Sequence, residues 1–154
     1  MTASIETNAA TVAYDPDGTR LVTTSDVSDV AEIWDGESRE RVATLEGHEG
    51  AVTDAAFGPD GSTIATAGFD GTLRLWDAGS GTQAVVLRGH QTAVGDVAFS
   101  PDGSKLVSVS GDGTARIWAV DLDDLVAIAE RELTRDLTEA ECRQYLHQDR
   151  CPRA

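Results

Sequence analysis

Three tryptophans, Trp34, Trp76 and Trp118, stand 42 residues apart in a chain of 154. His48 and His90 keep the same interval. Pro16, Pro59 and Pro101 keep it to within one residue. A period of this length, carried by several residue types in fixed order, specifies a repeated supersecondary unit that stacks on its neighbours. Residues 9–35, 52–77 and 94–119 align as three such units. The first carries one extra residue, which falls within 25–29.

Inside each unit the signals are those of short strands. Segments 52–57 and 94–99 are apolar, β-branched or small, and each runs into Pro-Asp-Gly, a turn in which Pro presets φ and Gly supplies a permissive one. Second strands are expected over 63–67 and 105–109. The Asp70-Gly71 and Asp112-Gly113 pairs then predict tight hairpins. Third strands follow over 72–76 and 114–118, where Arg74 and Arg116 point opposite to their apolar neighbours. Fourth strands are expected over 41–45 and 83–87. Four short strands per 40–45 residues is the arithmetic of one propeller blade.

Gly47-His48, Pro59-Asp60-Gly61, Asp70 and Trp76-Asp77 resemble a WD40 repeat, and Gly89-His90, Pro101-Asp102-Gly103, Asp112 and Trp118 resemble a second. The resemblance implies an all-β chain: an incomplete β-propeller arc of three WD40-type four-stranded blades over residues 1–120. The blades take about 5–45, 48–87 and 90–120, the last lacking its outer strand. It also implies a buried structural tetrad in each blade: His48, Thr66, Asp70 and Trp76, then His90, Ser108, Asp112 and Trp118. Aspartate fixes the protonated ring nitrogen of histidine. The other ring nitrogen accepts from the hydroxyl, and the hydroxyl accepts from the indole N–H. The same residue types make up a catalytic triad. The closing Trp and the recurrence once per blade favour the structural reading. The first unit is degenerate, with Ile5 at the histidine position, Ser28-Asp29 in place of Asp-Gly, and Trp34 and Thr24 retained.

Other candidates for chemistry are weak. Lys105 follows Gly103-Ser104 without a phosphate-loop pattern. The acidic turns at Asp15, Asp70 and Asp112 lack the further oxygen ligands of a calcium loop and read as turn chemistry. Asp54 and Asp96 hold equivalent first-strand positions, and in a propeller they would be solvated groups of the central channel or a cation-attracting patch. Phe69, just before Asp70, is the candidate exposed aromatic anchor for a partner, with Glu49, Gln91 and Thr92 on the same side.

After Trp118 the period changes. Leu122, Leu125, Val126, Ala129 and Leu133 form a helical stripe, and Thr138 with Glu141 forms a capping box. Residues 121–154 are therefore expected to be a short α-helical C-terminal tail. Their pattern resembles tails that follow propellers in large actinobacterial regulatory proteins, which often carry an NTPase module upstream. Cys142, His147 and Cys151 allow three readings: metal ligands short of the usual four, a Cys142–Cys151 disulfide, or two plain thiols.

Composition narrows the partners. With 27 acidic against 12 basic residues, a formal charge of −15 and Lys105 as the one lysine, the chain lacks the basic face that phosphate backbones need. An anionic membrane surface repels it for the same reason. No stretch approaches 18 uncharged apolar residues, and residues 1–10 have neither a basic start nor an apolar run. The expectation is a cytoplasmic, non-catalytic interaction scaffold with no cofactor and no metal. It would bind other proteins or an upstream domain of its own protein, with self-association through open edges. Two other functions fit parts of the sequence: a sensor or autoinhibitory segment of a signalling NTPase, and a propeller enzyme with a channel metal or quinone.

Overall fold

The computed structural model describes residue 4 and residues 8–120. The tail expected over 121–154, with Cys142, His147 and Cys151, lies outside the described residues, as does Ile5. The described part is all-β and forms three antiparallel sheets in series, blade-like and unclosed. The first contains β1 (Thr11–Tyr14), β2 (Arg20–Thr24), β3 (Val30–Asp35) and β4 (Arg41–Glu46). The second contains β5 (Val52–Phe57), β6 (Thr63–Gly68), β7 (Thr72–Asp77) and β8 (Gln83–Arg88). The third has three strands among the described residues, β9 (Val94–Phe99), β10 (Lys105–Ser110) and β11 (Ala115–Ala119). Each sheet is a meander in which sequential strands pair.

Register makes the sheets equivalent. Ile64 stands opposite Phe57 and Trp76 in the second sheet, as Leu106 stands opposite Phe99 and Trp118 in the third. Leu21 stands opposite Tyr14 and Trp34 in the first. Every sheet therefore has one face carrying its Trp and an opposite face built from small and aliphatic residues, because side chains alternate with period two.

The core lies between sheets. Val22, Ala31, Ile33 and Leu45 of the first pack with Ile64 and Trp76 of the second. Ala65, Ala67, Leu73 and Leu75, on the opposite face of the second, pack with Val97, Leu106 and Trp118 of the third. β6 and β7 are thus buried on both faces, whereas β10 alternates buried and exposed. Arg74 does point opposite to Leu73 and Leu75, but the face it joins is covered and it is buried there.

Polar contacts fix the sheets to one another. Arg20 pairs through Nε with Asp15 at 2.9 Å and donates through Nη1 and Nη2 to the carbonyls of Ala78 and Gly61 in the second sheet. Its guanidinium lies 5.5 Å from the Phe57 ring centre. The Thr53 hydroxyl reaches the Val94 carbonyl at 2.6 Å, and Val97 N–H donates to the Asp54 carboxylate at 3.0 Å. Asp54 is therefore a half-buried inter-sheet acceptor rather than a solvated channel group, and burial raises its pKa above the ordinary 3.8. Asp96, its counterpart, is exposed.

The aspartate after Trp34 and after Trp76 builds the turn to the fourth strand. Asp35 accepts the N–H of Ser38 at 2.7 Å, and Asp77 accepts that of Ser80 at 2.7 Å. Both turns then need a left-handed residue. Gly81 supplies it at φ 70°, whereas Arg39 is forced to φ 65°. A non-glycine residue in that region costs about 1 kcal/mol. Arg39→Gly should raise stability by up to about 1 kcal/mol, read as a higher urea midpoint with an unchanged m value.

Candidate functional site

At one end of the second and third sheets the hairpin turn between second and third strands meets the loop that carries Gly-His. In the second sheet this brings His48, Asp70, Thr66 and Trp76 together. The His48 Nδ1–H donates to Asp70 at 3.0 Å, and the Thr66 hydroxyl lies 2.7 Å from His48 Nε2. The Trp76 indole N–H donates to the same hydroxyl at 2.9 Å. One proton arrangement satisfies the whole chain: Nδ1 protonated, Nε2 accepting from Thr66, and Thr66 accepting from Trp76.

The third sheet repeats the set. His90 Nδ1 lies 2.9 Å from Asp112, His90 Nε2 2.8 Å from the Ser108 hydroxyl, and Trp118 Nε1 2.8 Å from that hydroxyl. Asp70 and Asp112 also accept the backbone N–H of the residue after each histidine, Glu49 at 3.0 Å and Gln91 at 3.1 Å. The aspartate thereby closes its own hairpin and locks the neighbouring loop in one step.

Gly47 is needed beside this set. Its φ is 152°, and a Cβ there would come within 2.7 Å of Arg74 Nη1. Arg74 lies beneath it, bonded to Gln83 and 3.6 Å from Asp70, with its Nε buried and without a hydrogen bond.

Electrostatics follow burial. Burial lowers the His48 pKa below the ordinary 6.5, against the pull of Asp70, so the imidazole is neutral in the folded chain. Burial pushes the other way at Asp70. The Glu49 N–H, the Thr72 hydroxyl and N–H, and His48 outweigh it and hold that carboxyl at about 2. Asp112 lies well below the ordinary carboxylate range, led by the Thr114 hydroxyl and His90. Thr66 and Ser108 are fully buried, and the indole N–H already occupies an acceptor site of each hydroxyl.

The first sheet keeps a remnant. Trp34 donates to Thr23 at 2.9 Å, whereas Thr24 bonds to Thr11 at 2.6 Å. The hydroxyl expected at Thr24 is thus at Thr23. Counting ten residues back from Trp34 crosses the extra residue in 25–29 and stops one short of Thr23. Glu32 replaces the arginine of the other sheets and pairs with Arg41. Beside Trp34 opens a cleft of about 360 Å³, lined by Thr23, Glu32 and Arg41 among others.

The four loop residues singled out by sequence sit on this same end. Phe69 is 58% exposed, and its backbone N–H is held by the Ala51 carbonyl at 2.9 Å. Glu49, Gln91 and Thr92 are exposed. The turn at Gly71 abuts the carbonyls of Thr92 and His90, so the two loops are contiguous. Sequence reading missed Val27. It is 81% exposed in the β2–β3 turn, the counterpart of the turn bearing Phe69. The extra residue in that turn was the signal.

Removing the shared hydroxyl leaves two buried polar groups unpaired, so Thr66→Val should cost about 3 kcal/mol and Thr23→Val about 1. Chemical denaturation of both variants checks the order. Acid should destabilise in two stages. Below about 6.5 the unfolded chain takes up a proton on His48 that the folded chain refuses, so stability falls as pH falls. Between about 4 and 2 the same holds for Asp70. Asp54, raised by burial, opposes the second stage. Urea midpoints measured from pH 7.5 to 3 should decline through both windows. The step near 6.5 should shrink in His48→Gln.

Comparison with known proteins agrees with this architecture. Over 59 residues the chain is 44% identical to Pre-mRNA-processing factor 19 homolog 2 of Arabidopsis thaliana. It is 39% identical over 59 residues to Pre-mRNA-processing factor 19 of Oryza sativa subsp. japonica. Each match takes 38% of this chain and 11% of the relative, so the matched region is a small part of those proteins. Residues 39–77 and 81–119, half of the chain together, match the WD domain, G-beta repeat family. The Gly-His, Asp-Gly and Trp positions of the second and third sheets fall inside those two matches, and the chain belongs to the WD40-repeat family.

Proposed function

We propose that the chain is a non-catalytic protein-interaction scaffold, an incomplete propeller arc whose loop end binds a segment of another protein. The observation that carries this reading is the exposure of Phe69 and Val27 on counterpart turns. The Phe69 N–H is held by the Ala51 carbonyl, and the Ser28 carbonyl beside Val27 accepts the Val52 N–H. Exposed apolar groups on a rigid turn lose little entropy on binding and are common anchors. Around them the acidic side chains Asp26, Asp29 and Glu49 are exposed. The partner fitting this surface is an apolar peptide segment flanked by Lys or Arg, which the −15 charge also steers toward the chain. WD40 membership and the likeness to pre-mRNA-processing factor 19 support a protein partner. Placement in a bacterial cytoplasm, within a larger regulatory protein, belongs to the same proposal.

Selection of displayed random peptides on the immobilised chain tests it. The expected winners carry an apolar residue among basic ones and lose at least about tenfold in affinity on Phe69→Ala. Winners that bind Phe69→Ala and Val27→Ser as tightly as the parent would refute the anchor assignment.

A further inference from the structure

Among the described residues, no other sheet covers the face of the third sheet built from Ala98, Val107, Val109, Ala115 and Ile117. Ile117 is 72% exposed, and all five are exposed. Their register counterparts in the second sheet are Ala56, Ala65, Ala67, Leu73 and Leu75, the surface that packs on the third sheet. Leu75, the counterpart of Ile117, is only 6% exposed.

The first sheet has the matching face, open along β1. Its Trp face carries Val12, Tyr14, Leu21 and Trp34, the counterparts of Val97, Phe99, Leu106 and Trp118. In the third sheet this set is the half of the contact that receives the second sheet. Leu21 is buried and Trp34 half-buried, but Tyr14 is 64% exposed and Val12 63%. The chain therefore displays both halves of the contact it has already made twice internally. Like strands in like register form both halves.

From this we infer that two copies of the chain join head to tail. The aliphatic face of each third sheet packs on the Trp face of the other copy's first sheet, making a six-bladed ring. Six lies within the four to eight blades of closed propellers. Closure satisfies both open faces of both copies, where an unclosed head-to-tail contact would propagate. A polar contact repeats too. Asp54 accepts Val97 N–H across the internal contact, and Asp96 stands exposed where it would accept the second copy's Val12 N–H. The contact is apolar, and each copy carries −15, so salt should favour the pair by screening repulsion. This inference concerns the sheet faces and stands apart from the loop-end reading.

Sedimentation of the 154-residue chain tests it. The expected species has twice the 16.2 kDa mass, and its share rises with added salt. Ile117→Arg and Tyr14→Arg should each weaken dimerisation by about tenfold or more. Mixing the two variants should restore dimer, because the mixed pair keeps one intact contact. Unchanged Trp emission and far-UV dichroism check their folds, and Ile117→Ser with Tyr14→Ser is the milder pair should either misfold. A monomeric parent chain overturns the inference, whether or not Ile117→Arg lowers its stability. So does a mixture that stays monomeric, or growth into species larger than two copies.

Discussion

A sheet with apolar residues on both faces has to be covered twice, and in the described residues its cover is another sheet of the same kind. This requirement organises the structure. The second sheet meets it on both sides, and its two central strands are buried almost throughout. The hydrophobic contribution therefore sits between repeats, about 25 cal/mol for each Å² removed from water, and none of the sheets holds a core of its own. Stability in such a stack depends on nearest neighbours, so the end sheets are the least supported.

The tetrad solves a different problem. Stacking apolar faces orders the sheets but leaves the hairpin and the Gly-His loop at one end to be fixed by polar groups. The shared hydroxyl is the junction. It ties Trp76, on the packed face, to His48 in the loop, and through Asp70 to the hairpin. Packing between sheets and the geometry of the loop end are thus mechanically connected, through Trp76 in one network and Trp118 in the other.

Much of this was legible in the sequence because the residues that fix it are of rare type and strict spacing. Trp, His and the Asp-Gly pairs located eight strands closely, and the tetrad residues lie within hydrogen-bonding distance of one another. Where the sequence misled, a physical cause can be named. Thr24 lies at the repeat's usual ten-residue spacing from Trp34, but the extra residue in 25–29 puts the hydroxyl at Thr23. Asp54 and Asp96 look alike in sequence, but one has a following sheet whose N–H it accepts and the other has none among the described residues. The exposure of Val107 and Ile117 is invisible for the same reason. Their strands read like β6 and β7, and what differs is the neighbour. Among the described residues the third sheet has three strands, and Ala119 stands where Asp35 and Asp77 build the turn to a fourth.

The first sheet shows how a repeat survives the loss of its polar network. It retains only the Trp34–Thr23 bond of the tetrad and carries Glu32 where Arg74 and Arg116 stand. In exchange it carries Asp15 and Arg20, absent from the equivalent places in the other units, and Arg20 reaches two carbonyls and an aromatic ring of the next sheet. Asp15 is buried and acts through both carboxylate oxygens, accepting the Arg20 backbone N–H and its Nε–H. A guanidinium held on that carboxylate loses little further freedom when it crosses to the neighbour. The bracing that the other units build within a sheet is built here between sheets. The first sheet therefore depends on the second through directed bonds as well as packing. Its loop end, free of the tetrad, has room for the longer turn that exposes Val27.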